Sequence, residues 1–257
     1  MSVNSHLLQK SASAILSTTE KESISRSIAT LRSRLDSWFG KNLTTHFTFG
    51  SFTRETILPR SLDAQSDIDY MVVFAEGGNT PQTYLNRLKT FVEKYYSSSE
   101  IFQSSPTIVL NLNHIRFELV PALAAYWTGY QIPSGPQNWQ DTDPNGFNTT
   151  LSQANKSCSY LLKPAVRLFK IWNARRSYPF ESYALEKWMA DQSYWSCSTV
   201  GDHLFHAVDN AQLSYYAPQW KIDELTRARE IVANTRYYLA SDMPINAESE
   251  IKKLIPE

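Results

Sequence analysis

The 257-residue sequence lacks several features that would each point to a particular class of protein. Its two cysteines, Cys158 and Cys197, are too few for a disulfide framework and suit a reducing cytosol. No run of about 18 apolar residues is present and no apolar signal region opens the chain, so we expect a cytoplasmic protein without a membrane partner. The 25 basic and 25 acidic residues cancel, which argues against a protein that grips long nucleic acid but does not exclude a local basic groove.

A pair of aspartates two residues apart is the most informative motif. Asp67 and Asp69 lie in a predicted strand, 67–75, so their side chains share one face while Ile68 points into a core. Two carboxylates this close repel each other unless a divalent cation lies between them, and Mg²⁺ prefers oxygen ligands. Acidic pairs at strand ends are commonly just solvated, so this pair alone does not define a site.

Two further features favour a site. The Gly50-Ser51 turn precedes the aspartates and supplies backbone N–H groups that can cradle phosphate oxygens at a helix start. A second predicted strand, 115–120, carries Glu118 on the face opposite its apolar side chains. A lone glutamate there could simply face water. Beside the aspartates it completes a three-carboxylate site for two metal ions, which clamp the attacking and leaving oxygens of an in-line phosphoryl displacement.

The rest of the chain is organised around these motifs. Most of the first 40 residues have helical periodicity, with a capping box at Ser17–Glu20. Residues 127–150 are rich in Pro, Gly, Asn and Asp and are predicted as a long loop, either a lid or an inter-lobe linker. Later residues are helical. Further strands are predicted at 44–49 and 107–112, helices at 51–57 and 81–95, and domains at 1–126, 127–150 and 151–257.

The predicted helical lobe contains a stripe of cations at helical spacing, Lys163, Arg167 and Lys170. Such a stripe is usually a solvated face. Here a neighbouring apolar stripe accounts for the packing and leaves the cations available to a triphosphate: Leu162, Val166, Phe169 and Trp172. Ser182 precedes the next helix and could cap it. Several later aromatic residues are predicted to pack the lobe: Trp195, Tyr215, Tyr216 and Trp220.

Taken together, the motifs resemble those of the DNA polymerase β-like nucleotidyltransferases, and within them the bacterial CD-NTases, oligonucleotide cyclases related to cyclic GMP–AMP synthase. Besides the aspartate pair, five segments follow the family's order over about residues 45 to 190: 50–56, 117–122, 132–144, 166–173 with Lys-x-Trp-Asn, and 182–186 with Ser-Tyr-x-x-Glu. The sequence departs from the family at two positions. Glu118 stands where the family usually has Asp, and Glu55 replaces the usual Gly near the opening turn.

The resemblance implies an α+β fold, in which a polymerase β-like core of a small mixed sheet with helices is followed by a helical C-terminal lobe, with the active site in the cleft between them. It implies two Mg²⁺ ions, replaceable by Mn²⁺, and a set of site residues. The metal ligands are Asp67, Asp69 and Glu118; the nucleotide contacts are Gly50, Ser51, Lys170, Ser182 and Tyr183. Tyr183 would stack on the base, although it could equally be a core aromatic.

The reaction implied by the resemblance joins NTPs, ATP among them, into a cyclic di- or trinucleotide and releases pyrophosphate. In the resembled family this product is a second messenger that activates a separate effector in CBASS-type antiphage defence. An alternative is transfer of a nucleotide to an RNA 3′ end or a protein side chain. A further alternative, an inactive nucleotide-binding module, is disfavoured by the intact acidic residues.

Overall fold

The structure, a computed structural model, describes residues 2–104, 106–125 and 129–257. The chain forms two compact units. The sheet unit comprises Leu16–Arg60 and Gln65–Asn148, and the helical unit comprises the residues up to Ile15, Ser61–Ala64 and Thr149–Glu257. The predicted domain boundary between residues 126 and 127 lies outside the described residues. The predicted first domain began at residue 1, whereas in the structure residues 2–15 belong to the helical unit.

The elements alternate between helices and strands along the first part of the chain and are helical afterwards. The helices are α1 Val3–Ser13, α2 Thr18–Phe39, α3 Gly50–Thr53, α4 Pro81–Tyr95, α5 Gly146–Ser157, α6 Leu162–Arg175, α7 Ser182–Ala190, α8 Val200–Asn210, α9 Gln219–Ala240 and α10 Pro244–Leu254, with a 3₁₀ turn at Gly40–Asn42. The strands are β1 Leu43–Phe49, β2 Asp67–Phe74, β3 Glu100–Ser104, β4 Thr107–Asn111, β5 Arg116–Ala125, β6 Gly129–Pro133 and β7 Trp139–Thr142.

The sheet is mixed, as predicted. Its main order is β1-β2-β5-β4-β3, and β6 pairs with both β5 and β7. Strands β2 and β5 run parallel at the centre, while the other pairs are antiparallel. The strands predicted at 107–112 and 115–120 are confirmed as β4 and β5, which pair as an antiparallel hairpin.

One face of the sheet packs on α2 and α4. Ile68, Tyr70 and Val72 of β2 and Phe117 of β5 are fully or almost fully buried in this core. Helix α2 begins with the predicted capping box, in which the Ser17 side chain accepts from the Glu20 backbone and the Glu20 side chain accepts from the Ser17 backbone. Burying one large apolar side chain contributes roughly 1.5–3 kcal/mol, so this face is the main source of stability for the sheet unit. The opposite face carries a smaller apolar cluster that includes Met71, Val73 and Val120, and the polar groups of β2 and β5 lie on this face at the starts of the strands.

Three strands were missed by the sequence patterns. The predicted loop 127–150 contains the β6–β7 hairpin and the start of α5, and β3 was not predicted. These strands lie towards the edges of the sheet, and most of their residues are exposed or half-buried. Because neither face of such a strand is fully buried, its sequence has no strong apolar alternation to detect.

The helical unit is built around α6, which packs on α1, α7 and α8. The apolar stripe predicted for α6 is buried. The prediction that the later aromatic residues pack this unit is wrong for Trp195, Tyr215 and Tyr216, which are almost completely exposed because they lie in turns between helices. Over the described residues, no helix combines the length and the apolar character that crossing a bilayer requires.

Candidate active site

The central parallel strands place acidic residues next to each other. In the register of β2 and β5, Asp67 is the partner of Arg116 and Asp69 is the partner of Glu118. Directly opposed residues of neighbouring strands project to the same face of a sheet. Because Ile68 and Phe117 are buried on the α2–α4 side, Asp67, Asp69 and Glu118 belong to the opposite face. The backbone therefore brings the three predicted acidic residues to one patch of the sheet.

The predicted Gly-Ser turn lies against this patch. Phe49, the last residue of β1, is the register partner of Asp69, so α3 begins beside that aspartate. A Cβ added to Gly50 would lie 1.7 Å from Oδ2 of Asp69, and Gly50 has a φ of +73°. Both the contact and the left-handed backbone require glycine. The Ser51 carbonyl accepts backbone hydrogen bonds from Thr56 and Ile57, which closes the turn.

Residues that sequence reasoning gave no role fix the far end of this turn. The Thr53 hydroxyl donates to the Gly50 carbonyl at 2.9 Å and accepts from Nδ2 of Asn148 at 3.3 Å. Arg54 is buried, and its guanidinium lies 5.4 Å from the centre of the Phe147 ring. These contacts within the sheet unit join the turn to the segment after β7. The sequence signal that could have indicated them is Thr53, which lies two residues after Gly50-Ser51.

Glu55, one of the two departures from the family pattern, has a backbone conformation that favours glycine. Glu55 follows the turn with a φ of +61°, a conformation in which side chains other than glycine are strained. The usual glycine of the resembled family suits this conformation, and the glutamate adopts it at an energetic cost. The side chain of Glu55 is exposed.

Glu118 is held by a cation of its own strand. Nη2 of Arg116 donates to Oε1 of Glu118 in a close ion pair, and the two side chains are 22% and 20% exposed. Because the two residues are separated by one position on a strand, they lie on the same face, but strand alternation does not predict their contact.

The donor set is of the kind that Mg²⁺ prefers, since it consists of carboxylate oxygens on one face of two neighbouring strands. Over the part of the chain that the structure describes, however, no three His, Cys, Asp or Glu side chains are grouped closely enough to hold a metal ion. The side chain of Glu118 is engaged by Arg116 in this arrangement. The strand register therefore brings the three residues to one face, as a two-metal site requires, while the metal site itself stays a prediction.

In the helical unit, the two predicted nucleotide-binding motifs interlock. Nζ of Lys170 on α6 donates to Oε1 of Glu186 on α7 at 2.8 Å. The side-chain amide of Asn173 both donates to the Phe180 carbonyl and accepts from the Phe180 N–H, each at 2.9 Å. The alternative that the cationic stripe is a solvated face is wrong, because Arg167 and Lys170 are both buried.

Ser182 and Tyr183 are the first two residues of α7. The cap of this helix is Glu181, whose carboxylate accepts from the backbone N–H groups of Tyr183 and Ala184, so the alternative that Ser182 is the cap is wrong. Tyr183 is 46% exposed, which contradicts the alternative of a core aromatic. The roles of both residues toward a nucleotide stay predictions.

The mixed sheet, with its aspartate pair beside a third acidic residue and a Gly-Ser turn, defines the polymerase β-like nucleotidyltransferase class of folds. Comparison with known families is more specific. The sequence profile of the Second Messenger Oligonucleotide or Dinucleotide Synthetase (SMODS) domain matches residues 1–155, and the chain belongs to this family. The predicted resemblance to the CD-NTases is thereby confirmed.

A curated relative is a probable cyclic nucleotide synthase of Bacillus cereus (strain VD146), which is 30% identical over 192 residues. The matched region is 58% of this chain and 56% of the relative, so this chain spans little more than half of that protein's length.

Solved structures of low sequence identity share the fold. CdnC of E. coli MS115-1, solved with ATP, is 13% identical with a TM-score of 0.72, covering 99% of this chain and 98% of its own. CdnG of Bradyrhizobium diazoefficiens, a CD-NTase solved with GTP, is 12% identical with a TM-score of 0.71, covering 97% of each chain. Vibrio cholerae DncV, a cyclic AMP-GMP synthase, is 14% identical with a TM-score of 0.68, covering 96% of this chain and 77% of its own. The predicted α+β polymerase β-like fold is confirmed.

Proposed function

We propose that this chain is a metal-dependent nucleotidyltransferase that joins NTPs into a cyclic di- or trinucleotide and releases pyrophosphate. The observation that carries the proposal is the β2–β5 register, which sets Asp69 beside Glu118 with Asp67 on the same face. Membership of the SMODS family supports it. The relatives solved with ATP and with GTP support NTPs, with ATP among them, as the substrates.

The acidic residues carry the chemistry in this proposal. Asp67, Asp69 and Glu118 hold two Mg²⁺ or Mn²⁺ ions, which when bound activate the acceptor hydroxyl and neutralise phosphate charge. The ribose oxygen of the acceptor attacks the α-phosphorus in line, the bond from that phosphorus to the β-phosphate bridging oxygen breaks, and the hydroxyl proton passes to Glu118. The pyrophosphate leaves with the electron pair of the broken bond.

The remaining predicted residues bind the nucleotide. Gly50 and Ser51 present backbone N–H groups to the phosphates, and the Asp69 contact keeps the turn at the edge of the acidic patch. Lys170 neutralises the departing pyrophosphate. Its bond to Glu186 holds the ammonium in one position. Ser182 donates its hydroxyl to the triphosphate. The exposed ring of Tyr183 stacks on the base, a contact worth about 1–3 kcal/mol.

The product acts on another protein. The second-messenger description of the family supports an oligonucleotide product that acts as a signal. By the resemblance to the CD-NTases, this signal activates a separate effector in antiphage defence of the CBASS type. No long nucleic acid and no membrane take part in the reaction, which we place in the cytoplasm.

Incubation of the purified protein with all four NTPs and Mg²⁺ or Mn²⁺, followed by mass spectrometry of the products, tests the proposal. We expect a cyclic oligonucleotide from the wild type and none from the double variant Asp67→Ala, Asp69→Ala. Asp141→Ala is a matched control, because Asp141 is an exposed acid of β7 in the same unit. If radiolabelled NTPs are used and the label appears on RNA or protein instead, the result would support the transfer alternative. Metal-dependent NTP binding without turnover would support the inactive module, and turnover by the double variant would overturn the assigned site.

A further inference from the structure

The ion pair between Arg116 and Glu118 lies where the metal ligands are proposed. The two residues are separated by one position on β5, so they occupy the same face as Asp67 and Asp69. Arg116 is itself the register partner of Asp67. The Arg116 guanidinium thus belongs to the patch of three acidic residues rather than to its rim.

Two cross-strand rows describe this face of the sheet. The first row runs Glu100, Asn111, Arg116, Asp67, and the second runs Phe102, Val109, Glu118, Asp69. Arg116 is the cation in these rows. Its neighbour along the strand, Glu118, and one cross-strand neighbour, Asp67, are acidic, whereas the other cross-strand neighbour, Asn111, is neutral. Its positive charge, paired with Glu118, reduces the repulsion among the carboxylates.

The contacts of the Arg116 side chain leave one of its hydrogen-bond donors unsatisfied. Nη2 donates to Glu118, and the ring of Phe102 lies 5.9 Å from the guanidinium carbon. Nε is buried and has no hydrogen-bond acceptor among the described residues. A buried donor that is left unpaired carries a desolvation cost, whereas a purely structural arginine usually has its donors satisfied. The conformation is therefore one that a competing ligand of Glu118 can displace.

The Glu118 carboxylate is the proposed ligand of a divalent ion and at the same time the partner of the Arg116 guanidinium, and these two cations compete for it. A guanidinium does not lose its proton in a protein, so its charge persists for as long as it contacts Glu118. The guanidinium engages Oε1, one of the two carboxylate oxygens of Glu118, and a divalent ion bound to the same carboxylate would lie close to this cation, which repels it.

We propose that Arg116 is a resident counter-cation that occupies Glu118 while metal is absent and lowers the affinity of the patch for a divalent ion. The inference rests on the proposed function, since it takes Asp67, Asp69 and Glu118 as the metal ligands. Arg116 is in this respect a positioning residue. It delays occupation of the site until a triphosphate adds its own negative charge, so the metal enters together with the nucleotide.

Direct binding of Mn²⁺ to the nucleotide-free protein tests this, with free Mn²⁺ measured by electron paramagnetic resonance. We expect Arg116→Gln to bind Mn²⁺ about fivefold more tightly than the wild type. Arg116→Met removes the same charge and serves as a second variant if the first does not fold, as judged by circular dichroism. Arg116→Lys is the matched control that keeps a cation, and we expect its affinity to stay within about twofold of the wild type. Asp69→Asn, alone and combined with Arg116→Gln, shows whether the measured Mn²⁺ binds at the acidic patch, because Asp69 is one of the proposed ligands.

The outcomes separate the two proposals. Tighter Mn²⁺ binding by both charge-removing variants, lost on Asp69→Asn, supports the counter-cation. Equal or weaker binding by these variants, still lost on Asp69→Asn, overturns the role of Arg116 and leaves the proposed metal site intact. Binding that is absent from the wild type and from both charge-removing variants, or that Asp69→Asn does not change in any of them, overturns the role of Arg116, and the product assay of Asp67→Ala, Asp69→Ala then decides separately whether the acidic residues are the site.

Discussion

Lys170 and Glu186 form a buried ion pair, with Nζ 2.8 Å from Oε1 and side-chain exposures of 7% and 1%. The pair joins the lysine of the Lys-x-Trp-Asn segment to the glutamate that ends the Ser-Tyr-x-x-Glu segment. The asparagine of the first segment, Asn173, also bonds to the residues leading into α7 through Phe180. Two motifs that look independent in the sequence are therefore one structural element, and the lysine proposed to meet pyrophosphate depends on an acid for its position.

Replacing only the acid of this pair should lower the free energy of unfolding more than replacing both residues. Glu186→Ala leaves the Lys170 ammonium buried without its carboxylate, and we expect a loss of about 3–5 kcal/mol in the free energy of unfolding. The double variant Lys170→Met, Glu186→Leu should recover much of that loss, because apolar side chains replace a buried pair at little cost. Urea denaturation at neutral pH measures both. Equal destabilisation of the single and double variants would show that the carboxylate does not compensate the lysine.

A second prediction concerns pH and the start of α8. Burial acts to raise the pKa of Asp202, but hydrogen bonds from Thr199 and Ser198 outweigh it and hold the pKa below the usual value of 3.8. A carboxyl whose pKa is lowered by folding stabilises the protein above its unfolded pKa, and this contribution disappears as the pH falls through the folded pKa. Asp202→Ala should therefore cost about 1 kcal/mol at pH 7 and less at pH 3.

The measurement is the urea midpoint of the wild type and Asp202→Ala at pH 7, 5 and 3. Asp202→Asn is the control, since its amide oxygen accepts hydrogen bonds but does not titrate in this range. The difference between Asp202→Asn and Asp202→Ala should not depend on pH. A gap between the wild type and Asp202→Ala that persists unchanged at pH 3 would contradict the role of the ionised carboxylate.

Glu55 offers a stabilising substitution. Its φ of +61° costs an L-residue roughly 1–2 kcal/mol, while glycine adopts the conformation freely but loses more entropy on folding. We expect Glu55→Gly to raise the free energy of unfolding by up to about 1 kcal/mol. Glu55→Ala removes the charge and keeps the strained Cβ, so it should bring no such gain. If alanine stabilises as much as glycine in thermal unfolding, the charge rather than the backbone is responsible.

The sequence was sufficient to predict those helices and strands that bury one face. Alternation in β2 and β5, with Ile68 and Phe117 inward and Asp69 and Glu118 outward, predicted both strands and the side on which the acidic residues lie. A capping box and an apolar stripe predicted α2 in the same way. Such patterns are visible because a buried face repeats at the period of its element.

Other features depend on contacts between distant segments, which spacing does not encode. The edge strands β3, β6 and β7 bury too little on either face to leave a pattern. The pairing of Arg116 with Glu118 rather than with its cross-strand neighbour Asp67 is decided by side-chain packing in three dimensions. The contact of Gly50 with Asp69 likewise arises only when β1 pairs with β2.

That contact gives the sharpest test of the candidate site. In Gly50→Ala, the new Cβ would meet Oδ2 of Asp69 at 1.7 Å, so the carboxylate or the turn has to move. A displacement of about 1 Å at reacting groups can cost on the order of 100-fold in rate, and we expect a loss of that size in product formation at saturating NTP. Gly78→Ala is the matched control, because Gly78 also has a left-handed φ, +88°, but no atom lies within 4 Å of its added Cβ. The control should lose about 1 kcal/mol of stability from backbone strain and keep its rate. Rates for Gly50→Ala and Gly78→Ala that agree within about threefold, a difference below 1 kcal/mol, would mean that catalysis does not depend on where Gly50 holds Asp69.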